Sequence, residues 1–409
     1  MRDLKVAYEI LSNVYLNKAF ASIELSKKIN QAENKNFLTS LVYGVLEKNI
    51  ELDYYIDYLV PKKPKNVAII VLKIGMYIIK YMDSVPNYAA VNSTVDLCKE
   101  INKKEISGFI NAVLKKFAQS TIELPKDKIK ALSVKFSTPE FIIKEYIKEY
   151  GEEKTKAMLL PSNFTYEHFR VNKTYSIDKL KQELDKNNIK YVDSIDGAIF
   201  AKNDKTMHDL YSVGKVTVQS KTSMLTCKEL DPKDNDLILD VCAAPGGKSV
   251  YISELANCKV VSCDIHPHRV ELIQSYINRM QSKNVEPKLN DATKENPEFV
   301  NKFDKVLCDV PCSGLGVAKK KPDIYLELTK ENISKLPLIQ YRILDTSKAY
   351  VKKDGVLVYS TCTTLPQENR LVVEKFLKNN ENFELIKEEQ FLQDTNGLDG
   401  FYIAKLRRK

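Results

Sequence analysis

Two of the eight cysteines stand where a thiol could do chemistry. Cys312 follows Pro311 in the run DVPCSG, and Cys362 follows Thr361 in the run STCTT. Each run is the end of an apolar stretch that predicts a β-strand, KVLCDV or GVLVYST. A cysteine thiolate is a nucleophile, and nearby positive charge or a helix N-terminus lowers the thiol pKa enough to form it. The two positions therefore indicate covalent catalysis, and the alternative is a pair of buried core thiols.

Five of the other six cysteines lack this context. None of the eight belongs to a Cys-x-x-Cys pair, and the chain has only four histidines, so we expect no metal site. Five are predicted to be reduced core residues: Cys98, Cys227, Cys258, Cys263 and Cys308.

A turn of small residues follows the predicted strand LILDV. Small side chains and two glycines at the end of a first strand let the backbone approach a ligand at a helix N-terminus, which suits a nucleoside or an amino-acid carboxylate. A phosphate-binding P-loop is the rival interpretation, but that motif needs a glycine where this chain has Cys242. Lys248 is a candidate for lowering a thiol pKa. The predicted cofactor turn comprises Cys242, Ala243, Ala244, Pro245, Gly246, Gly247 and Lys248.

Aspartates are predicted at the ends of four successive strands. Asp240 closes the first strand and Asp264 the second, where an acidic residue commonly accepts hydrogen bonds from ribose hydroxyls. Asp291 and Asp309 close the third and fourth. Because parallel strands present their carboxyl ends at one edge of a sheet, we expect these acids, the glycine turn and the two cysteines to meet there.

Three types of pattern predict three domains. Residues 1–125 show helical periodicity and predict an all-α bundle, and residues 126–215 alternate short apolar runs with helical stretches and predict a small α+β module. Residues 216–409 alternate apolar strands with helices, which predicts a doubly wound α/β domain with a parallel sheet covered on both faces.

The composition describes a folded protein of more than one domain. Its 409 residues exceed the usual size of one core, and 44% hydrophobic with 29% charged residues excludes a disordered or fibrous chain. The net charge of +9 is spread along the chain and does not by itself indicate a nucleic-acid partner. The first residues lack a signal-peptide pattern, and Lys73 and Lys80 interrupt the most apolar stretch. We therefore expect a cytoplasmic protein without a membrane segment.

Three motifs resemble those of the Nop2/Sun RNA cytosine-C5 methyltransferases, in particular the bacterial RsmB/Sun branch that acts on 16S rRNA. They are DVCAAPGGKS (240–249), DVPCSG (309–314) and STCTTLPQEN (360–369). Upstream, the runs VPNYAAVNSTVDLCK (85–99) and GFINAVL (108–114) are similar to the NusB-like domain of that branch, and DGFYIAK (399–405) is similar to its last strand. The resemblance covers nearly the whole chain and implies a NusB-like bundle followed by a Rossmann-like methyltransferase domain.

The resemblance also implies a reaction. Cytosine C5 is a poor nucleophile, so a thiolate first adds to C6, C5 then takes the methyl group of S-adenosylmethionine, and a base removes the C5 proton before the thiol leaves. The family pattern assigns the nucleophile to Cys362 and product release to Cys312. It places Lys248 and Asp309 beside the flipped pyrimidine, and it makes Asp264, Asp291 and Asp309 cofactor contacts together with the glycine turn.

The predicted partner is 16S rRNA bound by a monomer, with the target base out of its stack. Lys319, Lys320 and Lys321 are predicted to hold phosphates at the rim of the site, and Arg170 and Lys173 to contact RNA from the middle module. The chain departs from the family pattern at Val310 and Thr363. Alternatives are a tRNA or 23S rRNA substrate, a non-catalytic NusB-type RNA-binding protein, or a small-molecule methyltransferase.

Overall fold

The structure is a computed structural model that describes residues 2–161, 166–195 and 197–409. Its contacts divide the chain into two compact units. The first, called here the helical unit, is Met1–Leu159 with Ala318–Leu328, and the second, the catalytic unit, is Leu160–Val317 with Thr329–Lys409. The division into three domains at residues 125 and 215 stays a prediction.

The helical unit forms because apolar residues recur on one face of each helix. In its first helix Ala7, Ile10, Leu11 and Val14 are buried, as their spacing predicts. The helices of this part of the chain are α1 (Arg2–Asn17), α2 (Ala21–Lys28), α3 (Lys35–Glu47), α4 (Asn49–Leu59), α5 (Asn66–Tyr81), α6 (Asn87–Glu100), α7 (Ser107–Gln119), α8 (Lys128–Phe136), α9 (Glu140–Tyr150) and α10 (Glu152–Leu159). Within the described residues, no helix is both long and apolar enough to cross a membrane.

A small sheet opens the catalytic unit. Its elements are β1 (Glu167–Val171), α11 (Ile177–Lys186), β2 (Tyr191–Asp193), β3 (Ala198–Ala201), α12 (Lys205–Ser212) and β4 (Val216–Val218). The strands are antiparallel in the order β2-β3-β1-β4. The apolar run 198–201 forms β3 as predicted, whereas the run predicted at 189–192 forms a strand that begins two residues later.

The large sheet follows the alternation of apolar strands and helices. The elements of this stretch are α13 (Lys221–Leu230), β5 (Leu237–Asp240), α14 (Gly247–Leu255), β6 (Lys259–Asp264), α15 (Pro267–Met280), β7 (Val285–Leu289), β8 (Phe303–Asp309), α16 (Ile324–Glu327), α17 (Lys330–Ser347), β9 (Val351–Thr361), α18 (Arg370–Asn379), β10 (Phe383–Phe391) and β11 (Phe401–Arg408). Helix α16 lies in the segment that belongs to the helical unit.

The strand order of this sheet is β10-β11-β9-β8-β5-β6-β7. The five strands from β7 to β9 are parallel, which confirms the predicted doubly wound architecture. The last strand expected from the resemblance at 399–405 is β11, and with β10, which was not predicted, it forms an antiparallel edge. The strand order reverses between β5 and β8, and ligands of such sheets bind outside the strand carboxyl ends at that reversal.

The segment Ala318–Leu328 is part of the helical unit although it lies far along the chain. The Ala21 backbone N–H donates to the Asp323 carboxylate at 3.1 Å, and Lys18 pairs with Glu327 at 3.1 Å. Leu326 packs against the apolar core of the helices. Local polar contacts and apolar burial therefore both hold the segment on the helical unit.

Candidate active site

The two thiols singled out in the sequence lie together. Strands β8 and β9 are parallel neighbours, with Asp309 opposite Ser360, so the loops that follow them leave the sheet side by side. The sulfur atoms of Cys312 and Cys362 are 3.2 Å apart although 50 residues separate them along the chain. The hydrogen bond with Cys362, together with burial, raises the pKa of the Cys312 thiol well above its usual value. Cys312 is therefore protonated at neutral pH, and its S–H can be donated to Cys362.

A half-buried ion pair lies beside the thiols. The Lys248 ammonium donates to Asp309 Oδ2 at 2.6 Å, and the Ser360 hydroxyl donates to Asp309 Oδ1 at 2.8 Å. Burial alone would lower the pKa of Lys248, but the negative charge of Asp309 outweighs it and raises that pKa. Lys248 therefore stays charged, and its charge also interacts with Cys362.

The glycine turn brings backbone close to the edge of the sheet. The Ala243 N–H donates to the Cys263 carbonyl at 2.7 Å, and the Gly246 N–H donates to the Ala243 carbonyl at 2.7 Å. Gly246 has φ of 106°, a left-handed conformation that glycine adopts without strain, and α14 begins at the next residue. The turn therefore presents the N-terminus of α14 at the carboxyl end of β5.

Two of the predicted aspartates are held by contacts with residues close to them along the chain. Asp264 Oδ1 accepts from the His266 N–H at 3.0 Å, and Arg269 is 3.7 Å from its other oxygen. Asp291 accepts from the hydroxyl of Thr293 at 2.6 Å, and this bond lowers the pKa of Asp291 and favours the carboxylate. Asp291 does not close a strand as predicted, because β7 ends at Leu289 and Asp291 lies in the loop beyond it.

A cavity of about 310 Å³ joins these groups. Of the predicted site residues, seven line it: Cys242, Ala244, Asp264, Asp291, Asp309, Cys312 and Cys362. Sequence reasoning missed ten others: Val241, Ile265, Arg269, Asn290, Ala292, Thr293, Val310, Pro311, Ile339 and Ile343. Most of these adjoin a predicted residue and could have been found that way. Ile339 and Ile343 lie on α17, and no sequence signal marks them.

The predicted RNA contacts have different outcomes. Arg170 is wrong as a surface contact, because it is completely buried, donates to Gln219 Oε1 at 2.7 Å and pairs with Glu254. Lys173 is exposed. Residues 319–321 lie in the segment that belongs to the helical unit, and their contact with RNA stays a prediction. Among the described residues, no cluster of three or more His, Cys, Asp or Glu side chains could hold a metal ion.

Two parts of the chain match known protein families. Residues 227–407 match the family described as 16S rRNA methyltransferase RsmB/F, and residues 1–119 match the NusB family. The probable ribosomal RNA small subunit methyltransferase B of Bacillus subtilis is 32% identical over 442 aligned residues, which cover 99% of this chain and 98% of the relative. The chain belongs to the RsmB/F methyltransferase family. The RsmB of Escherichia coli strain SMS-3-5 is 30% identical and is covered over 93% of its length, against 94% of this chain.

Solved structures show the same fold as this RsmB/F chain. The crystal structure of PH0851 superposes with a TM-score of 0.87 at 22% identity, covering 99% of this chain and 98% of that one. NSun6 from Pyrococcus horikoshii, solved with SFG, superposes with a TM-score of 0.59 at 23% identity, covering 66% of this chain and 98% of that one. The predicted order of a NusB-like bundle followed by a Rossmann-like methyltransferase domain is confirmed.

Proposed function

We propose that this protein transfers a methyl group from S-adenosylmethionine to C5 of a cytosine in 16S rRNA, through a covalent bond between Cys362 and C6. The observation that carries the proposal is the pair of thiols 3.2 Å apart beside a cavity lined by three carboxylates. A protein that only binds RNA has no use for either thiol there. The relatives named ribosomal RNA small subunit methyltransferase B support 16S rRNA over tRNA or 23S rRNA.

The residues at the cavity fit a nucleoside cofactor. Asp264 offers carboxylate oxygens at the end of β6, where ribose hydroxyls bind in sheets of this type. Asn290 has a buried side-chain N–H₂ with no hydrogen-bond partner among the described residues, so it has a donor to offer a ligand. When bound, S-adenosylmethionine supplies an electrophilic methyl group. The glycine turn, Asp264 and Asp291 would hold it.

Three residues of the chain, Lys248, Cys362 and Cys312, have assigned parts in the reaction. Lys248 stabilises a thiolate at Cys362, which adds to C6 of the base and makes C5 nucleophilic. After C5 is methylated, a base removes the C5 proton and the Cys362–C6 bond breaks by elimination. Cys312, protonated and 3.2 Å from Cys362, can give the departing sulfur a proton.

The reverse assignment, with Cys312 as the nucleophile, fits less well. The charge of Lys248 interacts with Cys362, which favours a thiolate at that sulfur. We therefore assign the nucleophile to Cys362.

The test is methyl transfer from S-adenosylmethionine labelled in its methyl group to purified 16S rRNA, 23S rRNA and tRNA, followed by nucleoside analysis. We expect label in 16S rRNA as 5-methylcytidine. Label in tRNA or 23S rRNA alone would show that this RNA, and not 16S rRNA, is the substrate. Label on a base other than cytosine would contradict the mechanism. If protein that binds S-adenosylmethionine labels none of the three RNAs, the proposal fails. Action as a monomer in the cytoplasm belongs to the same proposal.

A further inference from the structure

Glu368 is a buried carboxylate in the turn between β9 and α18. Its side chain is completely inaccessible to solvent and does not line the cavity. Oxygen Oε2 accepts from the Ser313 backbone N–H at 2.8 Å and from Gln340 Nε2 at 2.9 Å, and Oε1 accepts from the Thr363 hydroxyl at 3.3 Å. Burial raises the pKa of Glu368 in spite of these bonds. A buried carboxyl group destabilises the folded protein unless it is hydrogen-bonded, so Glu368 depends on the groups that donate to it.

The donors come from both cysteine loops. Ser313 follows Cys312 and Thr363 follows Cys362, and their hydroxyl groups are also 2.7 Å from each other. Gln340 lies on α17 and uses the same Nε2 to donate to the Pro311 carbonyl at 3.0 Å. Residues on both sides of Cys312 and the residue after Cys362 are therefore connected through one carboxylate.

A second set of bonds fixes the turn that carries this carboxylate. The Tyr359 hydroxyl donates to the Glu368 carbonyl at 2.5 Å. Asn369 accepts from the Thr361 hydroxyl at 2.5 Å and donates to the Thr363 carbonyl at 3.0 Å. The turn is thus held to the residues on either side of Cys362, and the Glu368 carboxylate has a fixed position from which to hold the Cys312 loop.

We propose that Glu368 is a positioning residue that holds the two cysteine loops together and so keeps the two sulfurs within reach of each other. It acts through hydrogen bonds that it accepts and does not touch the reacting atoms. Its effect on methyl transfer rests on the proposed function, but its effect on the distance between the sulfurs does not. The two effects are therefore measured separately.

The first measurement is the rate at which the two thiols form a disulfide. Diamide oxidises the Cys312 and Cys362 thiols to a disulfide and is itself reduced to the hydrazine, which takes up the two protons. The cross-linked peptides are quantified by mass spectrometry in the full chain. In Glu368→Ala we expect this rate to fall about tenfold or more, because separated loops lower the effective concentration of one thiol near the other.

The conservative variant separates hydrogen bonding from charge. In Glu368→Gln the amide oxygen can accept from Ser313 and Gln340 while the amide nitrogen donates to the Thr363 hydroxyl, so we expect an oxidation rate close to the native one. Glu254→Ala is the matched control, since it removes another largely buried carboxylate of the catalytic unit, the partner of Arg170. We expect it to lower stability without changing the oxidation rate.

The second measurement is methyl transfer to 16S rRNA with each variant. Glu368→Ala should lower kcat by about 100-fold, the effect of misplacing a catalytic group by about 1 Å, with the cofactor Kd unchanged, and Glu368→Gln should keep most of kcat. If Glu368→Ala does not fold, Thr363→Val, which removes the contacts of this hydroxyl with Glu368 and with Ser313 at nearly constant shape, should show slower oxidation. A native oxidation rate in the folded Ala or Val variant, or a Gln variant as defective as Ala, would overturn the proposal. Absence of methyl transfer by the native protein would overturn only the proposed function.

Discussion

Cys312 and Cys362 are the same side chain in different surroundings, and single substitutions should separate their roles. Cys362→Ala should abolish methyl transfer, because no thiol remains to activate C5. Cys312→Ala should accumulate a protein–RNA adduct that survives denaturant, because the methylated base is not released. Denaturing gels with labelled 16S rRNA measure both results. If Cys362→Ala stayed active and Cys312→Ala were inactive without an adduct, the assignments would have to be exchanged.

Asp240 gives the stability of the catalytic unit a defined pH dependence. It is completely buried, accepts from the Ser249 hydroxyl at 2.6 Å, and burial raises its pKa from 3.8 to about 7. A carboxyl group with a raised pKa in the folded state contributes stability at low pH, and that contribution is lost as pH rises through about 7. Asp240→Asn is neutral at every pH and keeps an acceptor for Ser249.

The stability of Asp240→Asn relative to the native protein should therefore increase with pH. The expected gain between about pH 5 and pH 8 is about 2 to 3 kcal/mol, measured by urea unfolding at both pH values. Ser262→Ala is a suitable control, since it removes a hydroxyl 2.7 Å from Ser249 and adds no titrating group. A difference that does not change with pH would contradict the raised pKa.

At the scale of elements, the start of α14 depends on Gly246. A Cβ there would lie 3.3 Å from the Ile273 side chain, and φ of 106° strains any other L-residue. Gly246→Ala should cost about 1 to 3 kcal/mol of stability and weaken cofactor binding, because the turn must shift. Gly108→Ala is the control, since its Cβ would meet nothing within 4 Å. Calorimetric titration with S-adenosylmethionine and thermal unfolding test both, and native cofactor affinity in Gly246→Ala would contradict the expectation.

The buried pair of Arg170 and Glu254 joins strand β1 of the small sheet to helix α14 of the large one. Arg170→Ala leaves the Glu254 carboxylate without this partner, so we expect a loss of about 3 kcal/mol in the unfolding free energy of the catalytic unit. Lys173→Ala, at an exposed position of the same module, should change stability little. Urea unfolding measures both. Equal effects of the two substitutions would contradict the structural role of Arg170.

The elements themselves were largely predictable, and the contacts between them were less so. Apolar periodicity located α1 and most strands of the large sheet, because the spacing of apolar residues follows directly from which side chains of an element are buried. It could not show that α17 brings Ile339 and Ile343 to the cavity. Periodicity indicates that an apolar helix face is buried, but it does not indicate which part of the protein that face contacts. The same limit explains Arg170. Its residue type suggests an RNA contact, but both faces of β1 are covered by other parts of the protein, so its side chain lies in the interior.

For the molecule as a whole, the segment Ala318–Leu328 should stabilise the helical unit. Leu326 adds to its core and Asp323 accepts the Ala21 N–H, so a fragment of residues 1–159 lacks both contacts. Joining residues 318–328 to that fragment through a flexible Gly/Ser linker should raise its Tm by several degrees, as expected for about 1 kcal/mol. The same fusion with Leu326→Ala and Asp323→Ala is the control. An equal Tm for the fragment and both fusions would contradict the expectation.

The path of this segment also bears on how such a gene can be recombined. The chain leaves the catalytic unit after Val317, contributes eleven residues to the helical unit, and returns at Thr329. A single crossover between two related genes near residue 159 would give a hybrid whose helices come from one parent and whose residues 318–328 come from the other. Such hybrids should retain full stability only when the residues at the positions of Asp323 and Leu326 suit the helices of the other parent, so chimeras of this family need a second exchange at 318–328.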